Sequence, residues 1–128
     1  MSHRMIQTKK APAAIGPYSQ GIVSQGFLFT AGQIALDPQT GELIDGDVRA
    51  QTRQVFQNLQ AVLEEAGISF NEVVKANVYL VSMDDFPALN EVYAEYLGRS
   101  KPARATVAVA ALPKGAKVEM DLIAKLVE

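Results

Sequence analysis

Two rhythms alternate along this chain. Val48–Ala66 sets Val55, Leu59, Val62, Leu63 and Ala66 at helical spacing with Phe56 beside them, while Arg49, Arg53, Gln54, Gln57 and Glu64 face elsewhere. Asp47 is placed to cap that helix, and Gly67 to end it in the left-handed region. Phe86, Leu89, Val92, Tyr93, Tyr96 and Leu97 form a second helical stripe. Asp84 is its expected cap, Pro87 sits in its first turn, Gly98 ends it, and Asn90 reads as facing away from the stripe. Between the helices, Val73–Val81 alternates with period two: Val74, Ala76, Val78 and Leu80 against Lys75, Asn77 and Tyr79.

The rest of the chain is β-prone. Arg4–Thr8 reads as a short strand. Gln20–Ser24 and Phe27–Ala31 flank Gln25-Gly26 as a hairpin. Gly32, directly after a strand, suggests a bulge or a close backbone approach to a ligand. Ala11–Tyr18, rich in Pro and Gly, is an ordered loop whose Tyr18 is either half-buried in the core or aimed into a pocket. Asp37, Asp45 and Asp47 lack the spacing of a calcium loop and read as turn and cap residues.

The C-terminal stretch Lys101–Lys125 reads as two neighbouring strands joined by Leu112-Pro113-Lys114-Gly115. In Arg104–Ala110, Ala105, Val107 and Val109 share one face and Arg104, Thr106 and Ala108 the other. In Lys117–Leu126, Val118, Met120, Leu122 and Ala124 oppose Glu119, Asp121 and Lys125. Arg104 and Glu119 on such strands have two readings. One is a surface ion pair worth roughly 0–1 kcal/mol. The other is a pocket in which Arg104 forks a small carboxylate and Glu119 positions a water.

The element order is therefore β-β-β-α-β-α-β-β, an α+β two-layer sandwich in which a mixed sheet carries both helices on one face. Its other face needs cover, and alternation with many small residues, Ala31, Ala76, Ala105 and Ala108 among them, suits close packing against another subunit. All 128 residues are expected in one domain.

Composition narrows the chemistry. The net charge of −2 argues against a nucleic-acid footprint. The absence of cysteine removes disulfides, thiol nucleophiles and thiolate metal sites. The single histidine, His3, lies in a terminus expected to fray, so neither a Ser-His-Asp triad nor a histidine metal site is expected. No apolar run is long enough to span a membrane, and no signal pattern is visible, so a cytoplasmic protein is expected. Met1–Arg4 reads equally as a remnant before Met5 or as a natural start.

Four motifs carry a resemblance: APAAIGPYSQG at Ala11–Gly21, FLFTAGQI at Phe27–Ile34, VKANVYLVSMDDF at Val74–Phe86 and PARATVAVAALPKGAKVE at Pro102–Glu119. Together they resemble the Rid family of YjgF-like reactive-intermediate deaminases, and its RidA subgroup in particular. The resemblance implies a chorismate-mutase-like fold and a homotrimer with a central barrel and three pockets between subunits. It implies hydrolysis of enamines and imines such as 2-aminoacrylate, released by pyridoxal-phosphate enzymes, to a 2-oxo acid and ammonia. It places the carboxylate-binding arginine on Arg104, the water-positioning glutamate on Glu119, a pocket tyrosine on Tyr18, an asparagine on Asn90 and a pocket-lining backbone position on Gly32. Two positions depart from the family pattern. Ala31 stands where a serine is usual, removing one hydroxyl contact to substrate. Thr106 stands where a cysteine is usual, and its backbone carbonyl remains available to the water.

Such chemistry needs a fixed substrate and a placed water, and neither cofactor nor metal nor covalent nucleophile. An ionised Glu119, its pKa lowered by the nearby Arg104, would exchange protons with the water and the departing ammonia. The competing readings are a trimer that binds 2-oxo acids without chemistry, an endoribonuclease, which the acidic charge and lack of a usable histidine disfavour, and a structural or chaperone-like role.

Overall fold

The structure, a computed structural model, describes residues 3–127. Of the Met1–Arg4 segment, Met1 and Ser2 lie outside the described residues. Six strands and two helices follow in the expected order: β1 (His3–Ile6), β2 (Gly21–Ser24), β3 (Phe27–Thr30), α1 (Val48–Glu65), β4 (Val73–Leu80), α2 (Phe86–Leu97), β5 (Ala103–Ala108) and β6 (Val118–Lys125). The α+β reading holds: a six-stranded mixed sheet in the order β1-β2-β3-β6-β4-β5, with α1 and α2 side by side on one face.

Local chemistry explains most boundaries. Gln25 and Gly26 both take positive φ, 54° and 80°, the pair of left-handed residues that a tight hairpin needs between right-twisted strands. Asp47 accepts a 3.0 Å hydrogen bond from the Ala50 amide, as a helix cap should. Gly67, at φ 82°, closes α1 in the left-handed region. Ser69 and Glu72 form a reciprocal capping box around the short turn that feeds β4.

The core lies between the sheet and the helices. Val118, Met120, Leu122 and Ala124 of β6 and Ala76, Val78 and Leu80 of β4 face Val55, Phe56, Leu59, Val62 and Leu63 of α1 and Leu89, Val92 and Leu97 of α2. Phe56 stacks on Tyr96 at 4.3 Å between ring centroids, tying the helices together. On their outer side Arg49–Glu91 (2.7 Å) and Arg53–Glu95 (3.0 Å) add two exposed ion pairs.

Several expectations are corrected. β5 and β6 are not neighbours, because β4 runs between them, parallel to β5 and antiparallel to β6. The Leu112–Gly115 turn is therefore a crossover and not a hairpin. Val74 does not face the core: the register of β4 against β6 slips between Val73 and Lys75, so Val73 is buried and Val74 is pushed out. Asp84 does not cap α2. It lies in a short 3₁₀ turn that Ser82 caps through the Asp84 amide, and Asp85 precedes the helix with no side-chain cap bond. β1 is His3–Ile6 and not Arg4–Thr8, and His3 is paired with Ser24 and not frayed. Gly98 stays right-handed, at φ −65°.

Two edges frame the functional question. No residue of β5 is fully buried; Thr106 alone is half-covered, and Val107 is 47% exposed. The sheet face away from the helices shows Phe29 at 44% exposure and carries Asn77, Tyr79, Glu119 and Asp121. No described helix is long and apolar enough to cross a membrane, and no described cluster of three or more His, Asp or Glu side chains is arranged to hold a metal ion.

Candidate functional site

The residues expected to form one site, Tyr18 apart, fall into two clusters on opposite faces of the sheet. Arg104 pairs in register with Ala76, which is buried toward the helices, so Arg104 projects to the helix side. Glu119 pairs with Tyr79 and projects to the other side. With β4 between their strands, Arg104 and Glu119 of one protomer do not meet.

The first half-site is built on β5 and α2. The Arg104 guanidinium lies over two rings of α2, 5.3 Å from the Phe86 centroid and 4.6 Å from that of Tyr93. Its Nη1 donates to Asn90 Oδ1 at 2.7 Å. Asn90 therefore does not face away from the apolar stripe; Phe86, Asn90 and Tyr93 follow one another at helical spacing along the flank of α2 that meets β5. Thr106, two residues along β5 and on the same side as Arg104, has a buried hydroxyl without a partner among the described residues.

The second half-site forms where β3 loses and regains its register. Phe29 pairs with Ile123, but pairing resumes at Gln33 opposite Met120, one residue out of step, and the Thr30 hydroxyl accepts the Leu122 amide at 2.9 Å across the gap. This bulge brings the Ala31-Gly32 backbone over Glu119, and a Cβ at Gly32 would collide with the Glu119 carboxylate. The bulge expected at Gly32 is present, and within the protomer its backbone closes on the Glu119 side chain. The segment beyond is fixed from beneath: fully buried Asn58 of α1 donates to the carbonyls of Ile34 (3.2 Å) and Leu36 (3.0 Å).

Tyr18 joins neither cluster in the protomer. It is 55% exposed and lines, with Met5, Gln7, Gln20 and Pro38, a groove of about 750 Å³ that Arg104 and Glu119 do not reach. Its loop is held by Gln20, which is buried, donates to the carbonyls of Thr8, Ala11 and Pro12 and accepts the Thr8 amide.

Electrostatics correct a further expectation. Burial first, and the nearby Asp121 second, push the Glu119 carboxyl above its ordinary value, where a lowered pKa had been expected. Asp121 is held by Asn77 Nδ2 (2.8 Å) and by the Tyr79 hydroxyl (3.1 Å). The Tyr79 hydroxyl is itself raised, by burial and by its bond to Asp121. A raised carboxyl binds its proton more tightly in the fold than in the unfolded chain. Glu119 therefore stabilises the protein below its unfolded pKa, and that contribution is lost as pH climbs through the folded value. Asp121→Asn removes the like charge. The Glu119 side-chain carbon-13 resonance should then titrate at lower pH than in wild type, and an unchanged midpoint would show that Asp121 has no hold on it.

The sequence reading missed Phe86 and Tyr93, counted only as core, and the Asn77–Tyr79–Asp121 group. The 86-90-93 spacing was a usable signal for the first. For the second there was none until β4 was known to lie against β6.

Comparison with known proteins agrees with this architecture. The family model described as Endoribonuclease L-PSP matches residues 8–126. A RutC family protein of Pyrococcus abyssi is 54% identical, over 97% of this chain and 98% of its own. The 2-iminobutanoate/2-iminopropanoate deaminase of Mus musculus is 47% identical over 94% of this chain and 90% of its own. Among solved structures, RidA from an Antarctic Psychrobacter superposes with a TM-score of 0.92 at 49% identity, covering 96% of this chain and 99% of that one. Escherichia coli TdcF with bound serine gives 0.90 at 39%, covering 97% and 99%. The match across nearly the whole length, in sequence and in fold, places this chain in the Rid (YjgF) family.

Proposed function

We propose that this protein is a homotrimeric hydrolase of small carboxylate-bearing enamines and imines such as 2-aminoacrylate, with each active site shared between two protomers. The observation that carries this reading is the separation of Arg104 and Glu119 onto opposite faces of the sheet. A second copy laid against the uncovered edge strand β5 supplies the missing half. One protomer then contributes Arg104, Asn90 and Thr106, and its neighbour contributes Ala31, Gly32, Glu119 and the Tyr18 loop.

In that site the substrate carboxylate is forked by Arg104. The enamine tautomerises to an imine, which is electrophilic once protonated. Water adds to the carbon of the C=N bond as Glu119 takes its proton. Glu119 then returns a proton to nitrogen, the C–N bond breaks and ammonia departs, and the hydroxyl of the adduct gives its proton back to Glu119 as the carbonyl of the 2-oxo acid forms. Burial beside Asp121, which raises the Glu119 pKa, makes it a better proton acceptor than an ordinary surface carboxylate. The mammalian relatives named as 2-iminobutanoate/2-iminopropanoate deaminases support the reaction class.

A second reading, a trimer that binds 2-oxo acids without chemistry, draws on Ala31, which offers substrate no hydroxyl. The deciding experiment follows 2-aminoacrylate decay and pyruvate formation with and without the protein. Faster decay matched by pyruvate supports hydrolysis, and tight 2-oxobutyrate binding without turnover supports the second reading. Light scattering should give about 41 kDa, three times the 13.8 kDa chain. A monomer mass at micromolar concentration would remove the shared site.

A further inference from the structure

We infer that Phe86 and Tyr93 are positioning residues that hold the Arg104 guanidinium by their ring faces, so that its charge stays free for the ligand. The inference rests on the proposed role of Arg104 and deepens it.

Three contacts fix one planar group. Ring centroids at 4.6 Å and 5.3 Å limit where the guanidinium sits, and the 2.7 Å bond to Asn90 fixes its rotation. All three partners are neutral. Neither of the two ion pairs among the described residues involves Arg104, exposed though it is on an edge strand. An arginine held by a carboxylate would have to give up that bond, or share it, when an anionic ligand arrived. One held by ring faces and a single amide oxygen keeps most of its five N–H donors and its whole charge. A guanidinium is weakly hydrated and planar, so it suits this seat better than a lysine ammonium would.

Tyr93 shows which part of the side chain matters. The residue is 8% exposed, and its hydroxyl is buried with no hydrogen-bond partner among the described residues. A tyrosine kept for its hydroxyl would be expected to use it. The ring is what touches Arg104.

The test is a titration of 2-oxobutyrate into the intact trimer, alongside the nitrogen-15 resonance of the Arg104 Nε–H group. Tyr93→Leu should weaken binding roughly 3- to 30-fold, raise KM more than it lowers kcat and return the Nε–H resonance to an unshielded position, while Tyr93→Phe should bind within about twofold of wild type. Phe86→Leu, at a half-buried ring, should weaken binding in the same direction by less, and it provides the measurement if Tyr93→Leu fails to fold. Wild-type affinity in Phe86→Leu and in a folded Tyr93→Leu would overturn the inference, as would a loss in Tyr93→Phe equal to that in Tyr93→Leu. The parent reading fails separately: it falls if Arg104→Ala binds the oxo acid as wild type does. Ring variants that are silent while Arg104→Ala is not would sink the aromatic seat alone.

Discussion

Two dead enzymes mixed together should recover activity. Glu119→Gln loses the proposed proton carrier and should slow imine hydrolysis about 10²–10⁴-fold, and Arg104→Ala loses the proposed carboxylate clamp. If each site draws Arg104 from one protomer and Glu119 from the next, a trimer containing both variants holds one site with both native residues. Random reassembly of equal amounts then gives roughly a quarter of the wild-type sites. The two variants would be co-expressed with different affinity tags and hybrids isolated by passage over both resins. A hybrid as inactive as its parents would sink the shared site and require both residues to act from one protomer. The prediction follows from Ala76, which sends Arg104 to the helix side, and Tyr79, which sends Glu119 to the other.

Replacing Arg104 should have the largest effect on ligand affinity. Arg104→Ala removes the proposed charge-assisted, two-point contact. Hydrogen bonds to charged groups contribute about 1.5–3 kcal/mol each, so 2-oxobutyrate binding should fall by two orders of magnitude or more. Arg104→Lys keeps the charge but loses the planar fork and fits the ring faces poorly, so it should fall between Ala and wild type. Both variants should remain trimeric, since the proposed partner of Arg104 is a ligand and the side chain pairs with no described carboxylate. Titration calorimetry with light scattering on the same samples separates the outcomes. Wild-type affinity in Arg104→Ala would end the clamp assignment. Dissociation into monomers would return Arg104 to the role of a structural ion pair.

Elements with local causes were legible in the sequence. The Gln25-Gly26 hairpin, the Asp47 cap and the Gly67 stop each depend on residues within a few positions of one another. The buried face of β6 was equally plain, because Val118, Met120, Leu122 and Ala124 alternate without interruption. What failed was pairing. Period-two alternation says which residues share a face, but not which strand lies alongside, so β5 and β6 read as neighbours although β4 separates them. The same limit hid the slip that exposes Val74 and, although a bulge at Gly32 was expected, the fact that it lies over Glu119, since each depends on a partner strand far away in sequence. Arg104 and Glu119 were singled out from the resemblance. Their placement on opposite faces, and the direction of the Glu119 shift, needed the assembled sheet. Polar anchors such as Gln20 and Asn58 went unmarked, because burial of an amide carries no sequence signature.

The position of β6 bears on how the chain reaches its fold during synthesis. It is the last of the described strands in chain order, yet it lies in the middle of the sheet and, among the described residues, is the one strand that bridges the β1-β2-β3 meander and the β4-α2-β5 unit. Until it arrives, a nascent chain on the ribosome has two sheet fragments with no strand in common, each with an unpaired inner edge. The contacts that join them span long stretches of sequence, and such pairings are slow to form. Insertion of β6 closes the sheet, buries Val118, Met120 and Leu122, and delivers Glu119 in one step. The strand that completes the architecture is also the strand that carries Glu119.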